Sequence, residues 1–325
     1  MEEKIFYWSP SINWKVTEGK LKIERFIYTG DIVKLFPEFY YIAQDGIDLN
    51  KITDLFPDVS AMRIKVFIKD LIKRNILIDS IMSPNQVFYP QKKFVKHSYS
   101  KNLMYDPNEI KEYKAVQLNR KYEYHNDVII NLKQTQEFPK TITERKSHRE
   151  FSKDIISFDI FSNLISIFKQ ISNNNGYVKY YYASAGGLYP IDIYVYIKGN
   201  RVEHLNRGLY YYSPIENSLS LVTEQELTEE MHYYSNKEIF NSSAISIFFV
   251  YNAQANIPKY GGNGYLYACI DTGIMVSTFT TIAETLGIGL CSIGEMDFKK
   301  VSKLFKLNKD QILIHELECG IKKNI

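Results

Sequence analysis

The sequence predicts an α+β fold, in which a sheet has helices on both faces and a small α+β unit comes first. Near-continuous apolar segments such as Ile245–Val250 are typical of strands in a sheet that is covered on both faces. Helix and strand patterns also alternate densely between about residue 137 and residue 325. The 325 residues exceed what one hydrophobic core usually holds, so we expect a second, smaller unit.

The smaller unit is predicted over residues 1–80 and resembles a winged-helix domain. Leu21–Tyr28 alternates apolar and polar residues, as a half-buried strand does. Apolar residues then recur at helical spacing from Ile64 to Ile72, and Ile76–Ile78 predicts a short strand directly after that helix. A polar segment with three prolines follows, which predicts a surface connector over residues 81–136.

The larger domain is predicted over residues 137–325. We expect a helix capped by Ser157, a helix over about Glu224–Tyr234 and a long helix ending at Gly287. The predicted strands are Val178–Tyr182, Ile191–Ile197, Leu209–Tyr212, Leu219–Val222, Ala244–Tyr251, Gly287–Gly294 and Ile312–Glu318.

Composition narrows the possible function and location. A formal charge of +3 is too small for a dedicated nucleic-acid binder. The amino-terminal residues lack the pattern of a signal peptide, and the strongest apolar run, Ala244–Tyr251, is too short to span a bilayer. We therefore expect a cytoplasmic protein that binds neither nucleic acid nor membrane.

Cysteine and histidine usage predicts no metal site. The three cysteines, Cys269, Cys291 and Cys319, lie far apart and form no Cys-x-x-Cys pair, so neither a disulfide framework nor a thiolate centre is indicated. The six histidines show no ligand spacing with each other or with cysteine.

Two motifs could hold a phosphate-bearing, planar cofactor. The segment Arg145-Lys-Ser-His-Arg149 places two guanidinium groups and a hydroxyl within five residues, and arginine binds phosphate through paired, charge-assisted hydrogen bonds. The segment Ser184-Ala-Gly-Gly-Leu188 is a loop of small residues that permits close backbone approach to a flat ligand. Taken singly, each motif also fits a simple reading, a solvated charged turn or a tight turn between strands.

Taken together, these motifs resemble the flavin-dependent nitroreductase superfamily, and within it the streptolysin-type thiazole/oxazole-forming peptide dehydrogenases. The resemblance also includes Lys259-Tyr-Gly261, Asp271-x-Gly273 and Leu286–Glu295, all in the same order along the chain. It implies FMN as the cofactor, a nitroreductase-like sheet flanked by helices, and a homodimer with flavin at the interface.

The resemblance also assigns roles to residues. Arg145, Lys146, Ser147 and Arg149 would hold the FMN phosphate, ribityl chain and ring edge. The isoalloxazine would be lined by Ser184, Gly186, Gly187 and Leu188 and closed on its far side by Ile293, Gly294 and Glu295. Many relatives continue to a carboxy-terminal basic pair on the phosphate, for which Lys322 and Lys323 are the available substitutes.

Lys259 and Tyr260 are the predicted catalytic pair. In the azole-forming relatives a Lys-Tyr pair at this point is associated with catalysis, and oxidation of a thiazoline requires removal of a carbon-bound proton. A lysine acts as that base only if burial or nearby cations lower its pKa from about 10.4. The simple alternative is a surface loop, because Pro258 and Gly261 flank the pair.

Three functions remain open. The first is FMN-dependent oxidation of thiazolines or oxazolines in a ribosomally made precursor peptide, alongside a partner such as a cyclodehydratase. The second reverses the electron flow, with NAD(P)H as co-substrate and dehydroalanine or dehydrobutyrine residues of a lanthipeptide reduced to D-amino acids. The third is a flavin-free scaffold that binds a peptide through its winged-helix-like part, against which the intact Arg145, Ser147 and Arg149 argue.

Overall fold

The computed structural model describes residues 4–57, 59–94, 100–120, 129–172, 178–234 and 236–323. Its helices are α1 (Asp31–Asp45), α2 (Ile52–Leu55), α3 (Ala61–Lys73), α4 (Pro84–Phe88), α5 (Pro107–Leu118), α6 (Lys140–Thr143), α7 (Phe158–Ile165), α8 (Asn236–Ser242), α9 (Ile257–Tyr260) and α10 (Asn263–Thr285). Its strands are β1 (Ile5–Trp8), β2 (Trp14–Thr17), β3 (Lys20–Ile23), β4 (Phe26–Tyr28), β5 (Ile47–Asp48), β6 (Leu77–Ile78), β7 (Ile171–Ser172), β8 (Val178–Lys179), β9 (Ile191–Ile197), β10 (Gly208–Ser213), β11 (Ser218–Thr223), β12 (Ile245–Asn252), β13 (Ile288–Ile293) and β14 (Gln311–Ile321).

The amino-terminal part has its own apolar core. Two three-stranded sheets, β5-β1-β6 and β2-β3-β4, pack with α1 and α3 around buried side chains that lie between Phe6 and Leu77. Helix α3 buries Ile64, Phe67, Ile68 and Leu71, because these residues share one face at helical spacing. This packing agrees with a separate domain over residues 1–80, although its boundary with the connector stays a prediction.

The predicted strand Leu21–Tyr28 is in fact two strands. Strands β3 and β4 pair antiparallel, and the turn between them places Glu24 at a φ of 48°. The alternation of buried Leu21 and Ile23 is correct for β3. The turn was missed because neither of its residues, Glu24 and Arg25, is a typical turn former.

The predicted connector contains a three-turn helix, α5, that the sequence reading missed. The Asp106 side chain accepts hydrogen bonds from the backbone N–H groups of Asn108 and Glu109, and Pro107 takes the first helical position. None of its side chains is buried, so no apolar periodicity marked the helix, and only the Asp-Pro start signal was present.

The large domain is built on a six-stranded sheet in the order β11-β10-β9-β12-β14-β13, and every described pairing in it is antiparallel. One face packs against α7 and α10, with Ile247, Phe249 and Leu317 in the core. The other face packs against α8 and several short turns, with Tyr196 and Phe248 in the core. The predicted α+β fold with helices on both faces is confirmed.

Two predicted elements of the large domain are wrong or shorter than expected. The predicted helix over Glu224–Tyr234 is an irregular segment with one 3-10 turn at Glu229–Met231, and the helix comes later, as α8. The segment instead packs Leu227 and Met231 into the core and pairs His232 with Met296. Val178–Tyr182 forms a strand only over β8.

Helix α10 is the long central helix that the sequence predicts. It is the one described helix with the length and apolar composition to cross a membrane. Its Met275, Phe279 and Ala283 are fully buried against the sheet, as in the core helix of a globular domain. Its exposed side also carries large apolar residues, Leu266 and Ile270, each 51% exposed.

Candidate functional site

The loop Ser184–Leu188 is fixed by a buried carboxylate of α10. The Ser184 hydroxyl donates to Asp271 Oδ2 over 2.6 Å, and the Ala185 N–H donates to Asp271 Oδ1 over 3.1 Å. Ser184 Oγ in turn accepts a hydrogen bond from the Tyr189 N–H over 2.9 Å. Because Asp271 is only 3% exposed, this loop is held to the core although it lies at the surface.

Gly186 brings the predicted catalytic pair against this loop. Its φ of 63° is the left-handed conformation that glycine adopts without strain. A Cβ at this position would clash with the Tyr260 hydroxyl and lie 2.8 Å from Lys259 Nζ. The structure therefore brings together two sequence motifs that are more than seventy residues apart.

Lys259 and Tyr260 lie at the end of the short helix α9. Lys259 Nζ is 5.0 Å from the centre of the Tyr260 ring, and that ring packs edge-on against Tyr267 at 5.1 Å. Lys259 is exposed and Tyr260 is half-buried. The single chain therefore does not supply the burial that a lysine base needs.

Asn256 positions α9, and the sequence reading missed it. It is 1% exposed, accepts a hydrogen bond from the Tyr251 hydroxyl over 2.6 Å, and donates from Nδ2 to the Gly264 carbonyl over 2.8 Å. Its own carbonyl accepts from the Lys259 N–H over 3.1 Å. A lone asparagine before a proline-containing turn carries no signal of this role in the sequence.

The segment His148–Phe151 crosses the sheet beside a pair of glycines. Gly289 of β13 and Gly320 of β14 are register partners. A Cβ on Gly289 would lie 2.7 Å from His148 Cγ, and one on Gly320 would lie 2.9 Å from Phe151 Cβ. These glycines therefore let the segment that carries Arg149 lie directly against the backbone.

The cations of this segment form an exposed positive patch. Arg145, Lys146 and Arg149 are exposed, as is Ser147, and none of the three cations has a carboxylate partner among the described residues. Burial, followed by the positive charges of Lys322 and Lys146, lowers the pKa of the neighbouring His148 below its usual value. Such a field favours a bound anion.

The two carboxy-terminal lysines lie near this patch but have partners. Lys322 Nζ is 2.5 Å from Glu284 Oε2, and Lys323 Nζ is 2.7 Å from Glu150 Oε2. Glu284 Oε1 is also 3.8 Å from His148 Nε2. In the single chain these lysines balance nearby carboxylates, so they are less available to a phosphate than Arg145, Lys146 and Arg149 are.

The cation patch and the glycine loop lie at opposite ends of α10. Asp271 fixes the loop from the first half of the helix, and Glu284 contacts His148 near the end of the helix. At a rise of 1.5 Å per residue, these two helix positions are about 20 Å apart. One chain therefore does not bring all the predicted cofactor residues together.

Ile293, Gly294 and Glu295 lie at a third place, the end of β13. They line a cavity of about 720 Å³ together with residues of the amino-terminal unit and connector, including Asn75, Ile78 and Ile81. Ile293 is buried, whereas Gly294 and Glu295 are exposed. Gln311–Glu316 of the neighbouring strand β14 also line this cavity.

The residues present fit an FMN molecule. The unpaired guanidinium groups of Arg145 and Arg149 suit a phosphate. At the other end of α10, Gly187 has a φ of 66° with open space where a Cβ would stand, so a flat ring can approach the backbone there. The donor set and the open glycine are thus both of the kind that this cofactor needs.

Comparisons with known proteins agree with this picture. The model of the nitroreductase family matches residues 142–317. A Methanocaldococcus jannaschii protein described as a nitroreductase is 23% identical over 174 residues, which cover 53% of this chain and 86% of that protein. Indigoidine synthase of Streptomyces lavendulae is 31% identical over 112 residues, which cover 34% of this chain and 8% of that protein.

A solved structure matches most of the chain. A chain in the E. coli microcin synthetase McbBCD complex with truncated pro-MccB17 bound is similar with a TM-score of 0.52 and 14% sequence identity. The similarity covers 84% of this chain and 98% of that one. At this identity the likeness concerns the fold, and its extent shows that the shared fold reaches beyond the segment that the family model matches.

Proposed function

This chain belongs to the nitroreductase family and is an FMN-dependent oxidoreductase, and we propose that it oxidises thiazoline or oxazoline rings of a ribosomally made peptide to thiazoles or oxazoles in the cytoplasm. The observation that carries the proposal is the contact of Lys259 and Tyr260 with the Gly186 loop, where the isoalloxazine would lie. With the ring on this loop, Lys259 would be a candidate base beside the cofactor. Oxidation of an azoline requires a general base, because a carbon-bound proton leaves together with the hydride. Hydride transfer by itself requires no such base.

Each residue group has a proposed task. Arg145, Lys146, Ser147 and Arg149 hold the phosphate and ribityl chain, and Ser184, Gly186, Gly187 and Leu188 support the ring. The chemistry that bound FMN supplies is acceptance of a hydride from the azoline, with molecular oxygen as the final oxidant. Lys259 removes the carbon-bound proton, and the Tyr260 hydroxyl beside it hydrogen-bonds the reacting ring or passes that proton on.

The site is completed by a second copy of the chain. The two α10 residues that contact the glycine loop and the cation segment, Asp271 and Glu284, are about 20 Å apart along the helix in one chain, so we expect two subunits to share one cofactor. If two copies pack their α10 helices antiparallel, the patch of one subunit lies beside the loop of the other. The exposed Leu266 and Ile270 supply the apolar surface for this contact, and the packing would bury Lys259.

The cavity beside Ile293–Glu295 is the proposed entrance for the peptide. Strand β13 pairs with β14 only from Glu316 onward, so the described chain leaves Gln311–His315 without a strand on that side. An extended peptide can join such an edge through main-chain hydrogen bonds. The similarity of this chain to one in a complex that contains bound pro-MccB17 supports a peptide substrate and partner enzymes.

The first test measures the direction of the reaction. Purified protein is incubated with candidate precursor peptides that carry azolines or dehydroamino acids, and the products are analysed by mass spectrometry. Loss of two hydrogens per ring supports the proposal. Gain of two hydrogens per dehydroamino acid, together with rapid reduction of the bound flavin by NADPH alone, would show instead the reductase that uses NAD(P)H.

The second test concerns Lys259. The substitution Lys259→Ala should lower the rate of azoline oxidation by about a hundredfold or more, the usual contribution of a general base. The FMN content per chain should stay unchanged, because the substitution removes no predicted phosphate contact. Lys179→Ala, at another exposed lysine of the same domain, is the control. Wild-type turnover in the Lys259 variant would rule out the proposed base.

A further inference from the structure

A cluster of three ionisable side chains is buried on the face of the sheet that packs against α8. Glu316 and Glu318 lie two residues apart on β14 and therefore on the same face, and His232 follows the turn at Glu229–Met231. The side chains of His232 and Glu318 are 0% exposed, and that of Glu316 is 1% exposed. No step of the proposed reaction uses them.

The distances within the cluster suit metal ligands better than hydrogen bonds. His232 Nε2 is 3.5 Å from Glu316 Oε1 and 3.8 Å from Glu318 Oε1, and one ligand atom from each residue lies within 4.8 Å of the others. Hydrogen bonds between these atom types are about 2.7–3.2 Å long. Ligand atoms bound at about 2.0–2.2 Å around a tetrahedral zinc ion are instead about 3.3–3.5 Å apart.

Two members of the cluster have no hydrogen-bond partner outside the cluster among the described residues. Both ring nitrogens of His232 and both carboxylate oxygens of Glu316 lack a hydrogen bond. A carboxylate buried without a cation or a donor costs several kcal/mol. A cation bound between these groups would offset that cost for the ionised carboxylates.

The lysine near the cluster, Lys198, forms its ion pair with Glu318 and not with Glu316. Lys198 Nζ lies 3.8 Å from Glu318 Oε2 and is held by the Ser243 hydroxyl and the Phe240 carbonyl. Glu318 also accepts hydrogen bonds from Ser243 and, over 2.8 Å, from Ser246. Glu318 is thus oriented by its neighbours, whereas Glu316 forms no ion pair among the described residues except the one with His232.

We propose that His232, Glu316 and Glu318 bind a divalent transition-metal ion, of which zinc fits best. Imidazole nitrogen and carboxylate oxygen are both ligands that zinc accepts, and three protein ligands leave a fourth position for water. Glu316 lines the cavity beside β13, which gives water and the ion a route to the site. Histidine and cysteine spacing predicts no metal site because it leaves glutamate out.

The ion would link three separate segments of the large domain. His232 pairs with Met296, and the Asp297 N–H donates to the Met231 carbonyl over 2.7 Å. The bound ion would tie this pair of segments to β14, close to Gly294 and Glu295. The proposed role of the ion is to hold the cavity wall in place, since zinc has no redox chemistry and takes no part in electron transfer.

The test is the metal content of the full-length protein. Wild-type protein, dialysed against excess zinc and then passed over a chelating resin, should retain one zinc ion per chain by inductively coupled plasma mass spectrometry. Glu316→Gln and His232→Gln should each retain less than about a tenth of that amount, because each removes one of three ligands. His315→Gln removes the neighbouring histidine on the opposite side of β14 and should retain zinc fully.

FMN content and X-ray absorption distinguish loss of the metal site from loss of the fold. FMN content is recorded for every variant, so loss of zinc with normal flavin separates this site from the flavin site. If the variants do not fold, X-ray absorption of zinc-loaded wild type decides: ligation by imidazole and oxygen at about 2.0–2.2 Å supports the site. Wild-type protein that retains no divalent metal, or zinc bound by sulfur at about 2.3 Å, would overturn the proposal.

Discussion

The backbone conformation of Gly186 determines how the glycine loop contacts the candidate catalytic pair. Its left-handed φ brings the loop backbone against Lys259 and Tyr260, so any side chain would both strain the turn and displace that pair. The next residue, Gly187, has a similar φ of 66° but open space where its Cβ would stand. Substitutions at these two glycines therefore separate the effect of backbone strain from the effect of the contact with Lys259 and Tyr260.

We expect Gly187→Ala to lower the free energy of unfolding of the FMN-free protein by about 1 kcal/mol, the cost of an alanine in left-handed conformation. Gly186→Ala carries the same cost plus the clash with Tyr260, so its loss should be about 2 kcal/mol or more. Urea denaturation followed by circular dichroism measures both. An equal decrease in the free energy of unfolding in the two variants would mean that the contact at Gly186 does not contribute to stability.

At the scale of elements, α3 is joined to strand β4 through Asp70 and Arg74. Asp70 Oδ2 accepts hydrogen bonds from Arg74 Nε and from the Tyr28 hydroxyl, both over 2.7 Å. The Arg74 guanidinium also stacks 3.6 Å from the centre of the Phe26 ring. The hairpin is thus held to the helix by a small polar network outside the apolar core.

This network predicts a loss of stability in acid. The hydrogen bond from Arg74 is the main cause that holds the pKa of Asp70 below its usual value of 3.8. A lowered pKa in the folded state means stability that is fully present above pH 3.8 and is lost as the pH falls through the folded pKa. Because both side chains are about a third exposed, we expect a contribution of roughly 0.5–1 kcal/mol.

The measurement compares urea unfolding of wild type and Asp70→Asn at neutral pH and at the acid end of the stable range. The variant should be less stable at neutral pH, and the difference should shrink as the pH falls. Asp31→Asn is the matched control, since Asp31 pairs with Arg63 but both side chains are more than 60% exposed. A difference that is constant with pH would refute the assigned role of Asp70.

At the scale of the whole molecule, α10 decides how the candidate site is assembled. Its inner side packs into the core through Met275 and Phe279, and its outer side exposes Leu266 and Ile270. A helix that is apolar on both sides requires a second covering surface. The proposed antiparallel pair of α10 helices would meet this requirement and would also bring the cation patch of one subunit beside the glycine loop of the other.

Ile270→Arg should therefore convert the protein from a dimer to a monomer and release FMN. A charged side chain within an apolar contact is left without a partner, which typically costs several kcal/mol. Light scattering after size-exclusion chromatography gives the mass, and absorbance gives the flavin content. Ile215→Arg, at an isoleucine elsewhere on the surface that is 75% exposed against 51% for Ile270, should change neither. A dimeric Ile270 variant with bound FMN would exclude this interface.

Local patterns were sufficient for most elements of the large domain. Strand β9 has the predicted bounds, and β12, β13 and β14 differ from the predicted strands by a few residues at most, because a buried strand needs a continuous apolar run that is visible in the sequence. The Glu24 turn, α5 and the irregular segment around Leu227 were missed. Their conformations depend on hydrogen bonds and on packing against distant residues, which periodicity does not record.

The sequence by itself determined the α+β fold, the apolar strands and the motifs Arg145–Arg149, Ser184–Leu188 and Lys259-Tyr260, because these depend on residue type and local spacing. Only the tertiary structure decided that Lys259 and Tyr260 contact Gly186, that the cation patch lies at the other end of α10, and that His232 meets two glutamates in the core. The physical reason is that antiparallel sheet pairing and the length of one helix set these distances, and both join residues that are far apart along the chain.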